Sequence, residues 1–413
     1  MSVWRHLRKA ILIDHTARAR VTLTGPDHLS LLHRLSTQAC DRMQRGQSCL
    51  NALLTPKGRL VDLVHQILLP DGSTLLVGGR DRQEILHDWL DQHIFTENAR
   101  VADARDNTSV WLLTGNGAGE LLGDMFHVFQ RLEKLLPWQY RMHDEQLIMR
   151  TFDHVDEQKR RVPTWLLRLR GHAGEQLLRQ LREHRDVHEA SEDEATALRI
   201  GAGIPGCPNE INDHYNPLEL GLDFVVNRSK GCYVGQEIIS RLLTYNKVRR
   251  RLVRVRGPRP FAATPSGDVN VTSGPPLCHP DEPSPSLSFL RKQESTWTPA
   301  CAGVTKGAQR GEILRPSLVN TQDKLRMTGG VCSRHAQACT EQQRRNNKKE
   351  VQANTTEYRL TSVSPLPTPM GIQALAVVKL PEPIRFPIAA TVRAADGDPI
   401  DVELLPTSLA VAD

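Results

Sequence analysis

The chain has 413 residues, of which 39% are hydrophobic, 24% charged and only 5% aromatic. At roughly 100–200 residues per domain this length holds two to four domains with a sizeable core, which excludes a small disulfide-stapled module. The formal charge is +6, yet residues 281–350 alone carry 12 Lys and Arg against 7 Asp and Glu, so the rest is nearly neutral and net charge gives no argument for a nucleic-acid partner.

At the N-terminus Arg5, Arg8 and Lys9 precede the short apolar stretch Ala10 to Ile13, which Asp14 and His15 interrupt. An export signal needs about 7–15 apolar residues, and a membrane span ~20, so the expectation is a cytoplasmic protein without membrane contact. The eight cysteines include no CxxC pair, and in a reducing compartment they are expected as free thiols, with no metal site.

Residues 19–25 (Ala-Arg-Val-Thr-Leu-Thr-Gly) alternate as a strand does and run into a helix from Asp27 with Leu29, Leu32 and Leu35 on one face. Cys49 to Thr55, Leu60 to Leu69 and Thr74 to Val77 read as further strands, with Asp71-Gly72 as a hairpin turn, and 81–93 as an amphipathic helix. The pattern then recurs. Ser109 to Gly115 again ends in Thr-Gly and leads into a helix with Leu121, Leu122 and Met125; strands at 146–151 and 164–170 precede a helix at 173–183. Two related units follow from this echo. Consecutive antiparallel strands with grouped helices predict an α+β fold, not a doubly wound parallel sheet.

Gly201-Ala202-Gly203-Ile204-Pro205-Gly206 matches a dinucleotide fingerprint in its letters alone: a helical stretch precedes it, and Pro205 and Pro208 prevent a helix from opening after it. Val248 to Gly257 alternates, with Arg249 and Arg251 on the face of Val253 and Val255, and Arg250, Arg254 and Arg256 beside Leu252. That is a half-buried strand with a solvated basic face, and no interleaved aromatics offer a base-stacking platform, so nucleic acid is an unlikely partner. The strand opens a C-terminal β-barrel that resumes with 358–363, 371–380 and 389–402. Between them, residues 274–352 are rich in Pro, Ser, Gln and Asn, cannot offset ordering entropy by burial, and are expected to be disordered. Phrases there such as Ser-Phe-Leu-Arg-Lys-Gln-Glu-Ser-Thr look like translated interspersed bacterial repeat DNA. Cys332, His335 and Cys339 fall in the same stretch without a second pair at zinc-finger spacing.

The predicted organisation is a first α+β unit over 1–105, a second over 106–245, a C-terminal β-barrel over 246–273 and 353–413, and a low-complexity insertion over 274–352. The most informative stretch contains Leu198-Arg199-Ile200-Gly201-Ala202-Gly203-Ile204-Pro205, Asn216-Pro217-Leu218-Glu219-Leu220-Gly221-Leu222-Asp223 and Lys230-Gly231-Cys232-Tyr233-Val234-Gly235-Gln236-Glu237. With Leu53 to Arg59 (Leu-Leu-Thr-Pro-Lys-Gly-Arg), it closely resembles the YgfZ-type folate-binding proteins, relatives of the glycine-cleavage aminomethyltransferase. The resemblance covers roughly residues 5–257 and resumes after the insertion.

Read from the residues, Gly231 and Gly235 let the backbone turn sharply around Cys232, and a helix from about Glu237 to Leu243 follows. A thiol near a helix N-terminus, with Lys230 adjacent and Arg241 one turn on, is placed for reactivity or ligand contact. Lys230 and Cys232 are the expected working pair, with Tyr233, Gln236 and Arg241 as binding residues. The resemblance implies that Glu219 meets a pterin edge and that Asp62 stands where the aminomethyltransferases have an acidic pair; here a single acid stands there. It implies tetrahydrofolate or a derivative as cofactor, and a role as an accessory factor in iron-sulfur cluster assembly or repair, including in tRNA-modifying enzymes, with iron-sulfur client or assembly proteins as partners. A folate-dependent aminomethyltransferase and a basic RNA-binding adaptor are the alternatives.

Overall fold

The computed structural model describes residues 3–126, 132, 135–156, 160–258, 268–272, 355–366, 368, 371–380, 386–393 and 399–407. The chain divides into two compact units, Met1–Pro276 with Asn354–Asp413, and Leu277–Ala353. The second unit, the expected disorder of 274–352 and the Cys332/His335/Cys339 triplet lie outside the described residues.

After a 3-10 turn at Val3–Arg8, strand β1 (Ala10–Asp14) leads into β2 (Arg18–Thr24), helix α1 (His28–Leu35), and β3 (Ser48–Leu54), β4 (Leu60–Leu68) and β5 (Thr74–Arg80). Helix α2 (Gln83–Asp91) closes the first pass, and β6 (Arg100–Asp103) leads into the second. The second pass runs through β7 (Thr108–Thr114), α3 (Ala118–Phe126), β8 (Tyr140–His143), β9 (Gln146–Arg150), a small ribbon β10 (His154–Val155) and β11 (Arg161–Val162), β12 (Thr164–Arg170), α4 (Gly171–Glu183) and β13 (Val187–Glu189). Helices α5 (Glu192–Ala202) and α6 (Gln236–Thr244) follow, then β14 (Arg250–Arg256), β15 (Asp268–Thr272), β16 (Thr355–Val363), β17 (Ile372–Lys379), β18 (Ile388–Arg393) and β19 (Pro399–Pro406).

The first sheet has the order β3-β4-β5-β2-β6 and the second β13-β1-β7-β12-β9-β8. The architecture is the α+β one predicted, but the two passes exchange a strand. Strand β1 precedes the first pass yet pairs antiparallel with β7 of the second; β6, which precedes the second pass, pairs antiparallel with β2 of the first. The repeated Thr-Gly marks where this exchange is tightest. Gly25 and Gly115 have φ of +100° and +140°. A Cβ on Gly25 would collide with Asn98 O, just ahead of β6, and one on Gly115 with Lys9 O, just ahead of β1. Asp27 N donates to Asn98 O at 3.3 Å and Gly117 N to Lys9 O at 2.9 Å, the same bond in both halves.

The inner faces of the two sheets share a core, with Ile67, Leu75 and Val77 of the first against Ile11, Ile13, Val110, Leu112 and Leu166 of the second. Helix α1 buries Leu31, Leu32 and Leu35, so Leu31 rather than the predicted Leu29 completes its apolar stripe. Gly201 falls inside α5 and Gly203 is its left-handed C-cap, so the GxGxxG letters end a helix instead of opening one.

The C-terminal sheet has the order β15-β16-β17-β14-β19-β18. Among the described residues its outer strands β15 and β18 lie beside one another without ladder pairing, so the predicted barrel appears as a six-stranded sheet. Predicted strand 389–402 is two strands, β18 and β19, paired as a hairpin. Strand β14 buries residues on both faces: Val253 and Val255 within the sheet's own core, Leu252 toward the first pass. Its basic face is also less solvated than predicted, because Arg250 pairs with Glu219 and Arg256 with Glu403. No helix among the described residues is long and apolar enough to cross a membrane.

Candidate functional site

The two motifs that sequence reading singled out, 53–59 and 230–237, pack against each other. Gly235 has φ +81° and caps α6; a Cβ there would lie 2.7 Å from Thr55 O and 3.0 Å from Gly58 Cα. Gly58 in turn, at φ +68°, faces Ile238 of α6. The loop ahead of α6 also lies across the C-terminal end of α1, where Val234 N donates to Arg34 O at 3.0 Å.

Lys230 holds that junction. Its ammonium donates to the carbonyls of His33, Ser36 (2.6 Å) and Gln38 (2.9 Å), satisfying orphan carbonyls at the end of α1. It also sits over the Tyr233 ring, 4.9 Å from the centroid. Burial lowers its pKa to about 8. All three of its donor positions serve the fold, whereas the neighbouring Cys232 side chain is exposed. The expected pair is therefore split into a buried clamp and a surface thiol. Tyr233 is buried, its hydroxyl pKa raised to about 12 by that burial. It lines a cavity of about 280 Å³ with Gln236, Asn227, Arg228 and Ser240. Arg241 points away on the exposed side of α6, 3.9 Å from Glu237.

Glu219 is engaged rather than open. Its carboxylate accepts from Arg59 Nη1 at 3.0 Å, Arg250 Nε at 2.8 Å and Asn216 N at 3.0 Å, the last as half of a capping box for the 3-10 turn Pro217–Leu220. Asp62 sits on β4 with no exposed surface. Its carboxyl accepts from Leu63 N at 2.8 Å and Gly79 N at 3.0 Å, and lies 3.7 Å from Cys207 Sγ. Burial raises its pKa despite those bonds, and the same cause raises the thiols of Cys40, Cys49 and Cys207. Among the described residues no group of three or more His, Cys, Asp or Glu side chains is arranged to hold a metal.

Sequence reading missed an aromatic cluster assembled from three separate segments. Trp138 before β8 meets Phe152 after β9 edge-on, with centroids 4.9 Å apart, and lies within 8° of parallel to Phe224 at 6.2 Å. Phe224 is 38% exposed. His65 of β4 backs Trp138 at 5.6 Å. Gln38 joins this cluster to the Lys230 clamp, since its side-chain amide donates to Phe224 O at 3.4 Å and its own carbonyl accepts from Lys230. The one sequence signal for the cluster was Phe224 directly after the Leu218 to Asp223 motif; Trp138 and Phe152 meet it only through the fold.

Residues 3–147 match the GCVT N-terminal domain. Over that third of its length the chain is similar to this domain. A chloroplastic protein of Arabidopsis thaliana with a provisional transferase name is 25% identical over 252 residues, which cover 59% of this chain and 55% of that one. The aminomethyltransferase of Lysinibacillus sphaericus is 22% identical over 247 residues, covering 56% and 63%. The chain thus spans less than two thirds of the length of these curated relatives. The crystal structure of the glycine cleavage system aminomethyltransferase T from Bartonella henselae superposes with a TM-score of 0.66 at 13% identity, covering 98% of this chain and 88% of that structure. The chain shares that fold, sheets and helices alike.

Proposed function

We propose that this chain is a YgfZ-type binder of tetrahydrofolate or a derivative that supports iron-sulfur cluster assembly or repair in client enzymes. The observation that carries the reading is the near-parallel pair of Trp138, half-buried against the core, and the exposed Phe224. Flat aromatic faces suit a flat heterocycle, and stacking on such a ring contributes about 1–3 kcal/mol in nucleobase recognition. Gln38, Lys230 and Tyr233 position that pair from one side, and exposed Cys232 stands on the loop they anchor. A bound reduced folate would supply one-carbon chemistry at its ring nitrogens; the chain would stack and orient it.

Calorimetry with tetrahydrofolate tests this. Wild type is expected to bind, and Phe224→Ala or Trp138→Leu to weaken affinity about tenfold, the factor that about 1.4 kcal/mol represents. Wild type that binds no tetrahydrofolate defeats the reading.

The fold shared with an aminomethyltransferase favours a second reading, aminomethyl transfer. Asp62 weighs against it: a carboxyl with no exposed surface, held by two backbone amides and disfavoured as an anion by burial, is poorly placed to take a proton from a ligand. Lipoyl-linked aminomethyl turnover by wild type, abolished in Asp62→Ala, would establish that second reading instead.

A further inference from the structure

The cavity of about 280 Å³ beside α6 takes no part in stacking a heterocycle on Trp138 and Phe224. Two segments and one ring enclose it. Residues 226–228 reach it directly after the 3-10 turn Asp223–Val225, and Asn227 N donates to Thr37 O at 3.0 Å, which fixes that loop. Helix α6 brings Gln236, Ser240, Leu243 and Thr244, whose spacings of four, seven and eight residues put them on one face. Tyr233 joins from the turn ahead of the helix.

The polar groups of this lining are donors that the fold leaves unused. Arg228 is exposed and, among the described residues, its side chain makes neither a hydrogen bond nor an ion pair; Asp223, the acid its field reaches, lies beyond ion-pair distance. Gln236, Ser240 and Thr244 make no side-chain hydrogen bond there either. Asn227 accepts from Ser229 N and Oγ at 3.0 Å each through its side-chain carbonyl, which keeps its NH2 group free to donate. Tyr233 forms the floor. It is 8% exposed, yet its hydroxyl has no partner and is not sealed from solvent, so it looks into the cavity as a neutral donor. None of the lining residues is acidic, and Glu237, the acid of α6, faces Arg241 instead.

We propose that this cavity binds the phosphate group of a small phosphomonoester, with Arg228 as its cation and the Tyr233 hydroxyl at its base. The peripheral oxygens of a phosphate accept from several directions at once, which suits donors arriving from loop, floor and helix. A flat carboxylate would use the arginine fork and leave most of the other donors idle. Val226 and Leu243 supply an apolar wall for the organic part of the ligand. That part is small, because the volume stands at the lower end of ligand pockets, which run about 300–1,000 Å³.

The test titrates sodium methyl phosphate into the full chain without folate, at constant ionic strength against sodium chloride, and follows side-chain N–H signals by NMR. Saturable shifts of the Arg228, Asn227 and Gln236 signals at millimolar ligand are expected, while Arg105 Nε, held by Asp103, stays still. Arg228→Gln, at an exposed position that leaves folding intact, should weaken binding about tenfold. Tyr233→Phe keeps the ring under the Lys230 ammonium and removes only the hydroxyl, so a loss of about fivefold is expected, the effect of one hydrogen bond. A linear response of wild type, an affinity unchanged in either variant, or equally tight saturation by sodium acetate overturns the proposal. Folate is absent throughout, so failure here leaves the tetrahydrofolate calorimetry untouched, and failure there leaves this site standing.

Discussion

Lys230, expected from sequence as half of a working pair, is engaged in the structure by three backbone carbonyls. Its three bonds to the carbonyls of residues 33, 36 and 38 fasten the loop before α6 to the end of α1. Lys230→Met keeps the apolar stem but orphans those acceptors, and a loss of about 2–4 kcal/mol is expected, read as a lower urea midpoint at unchanged m-value. Glu97 gives a pH-dependent counterpart. Its carboxylate accepts from Arg34 at 2.5 Å and from the backbone amides of Phe95 and Thr96, and the Arg34 bond first of all lowers its pKa to about 2. The folded value lies below the ordinary 4.5, so the stabilisation is complete above about pH 4.5 and disappears as pH falls toward about 2. Wild type should therefore melt higher than Glu97→Gln at pH 6, with the gap closing over that acid range. An undiminished gap at pH 2 would contradict the assignment.

Among the elements, the regular strands and helices were legible because their apolar periodicity is strong: β4, β12, α4 and α6 lie within a residue or two of where the sequence placed them. Strand β1 was not. Its four apolar residues are too few to show alternation, and its partners β7 and β13 lie far along the chain. The same limit hid the aromatic cluster, whose rings come from the approaches to β8, the end of β9 and the turn after Leu222. Glu219 was legible as a special acid but not as one committed to Arg59 and Arg250, because Arg250 arrives from β14. The Thr-Gly echo, by contrast, carried more than it first implied, since both glycines mark the strand exchange. Gly25→Ala and Gly115→Ala should each cost about 2 kcal/mol or more, as each combines a positive φ with a collision against backbone. Thermal melts of the two variants check this. Wild-type stability in either would mean that the exchanged strand can shift aside.

At the scale of the molecule, the described residues that flank the stretch expected to be an insertion are neighbours: Thr272 of β15 and Thr355 of β16 are ladder partners. Ends this close ask little of the surrounding sheet, since closure entropy grows slowly with loop length. Replacing residues 277–353 by a short Gly-Ser turn should leave the melting temperature and tetrahydrofolate affinity of the remainder within error. Loss of either would show that the segment contributes to the fold or the site.

The strand exchange also orders events during synthesis. Strand β1 leaves the ribosome well before its neighbours Thr108–Thr114 and Val187–Glu189, which are made only after the whole first pass has emerged. Until then Ala10–Asp14 is an unpaired apolar ribbon and the nascent chain is vulnerable to pairing with another copy of itself. Strand β1 is thus made before its partners and sheltered only with them, and chaperone dependence should concentrate on it.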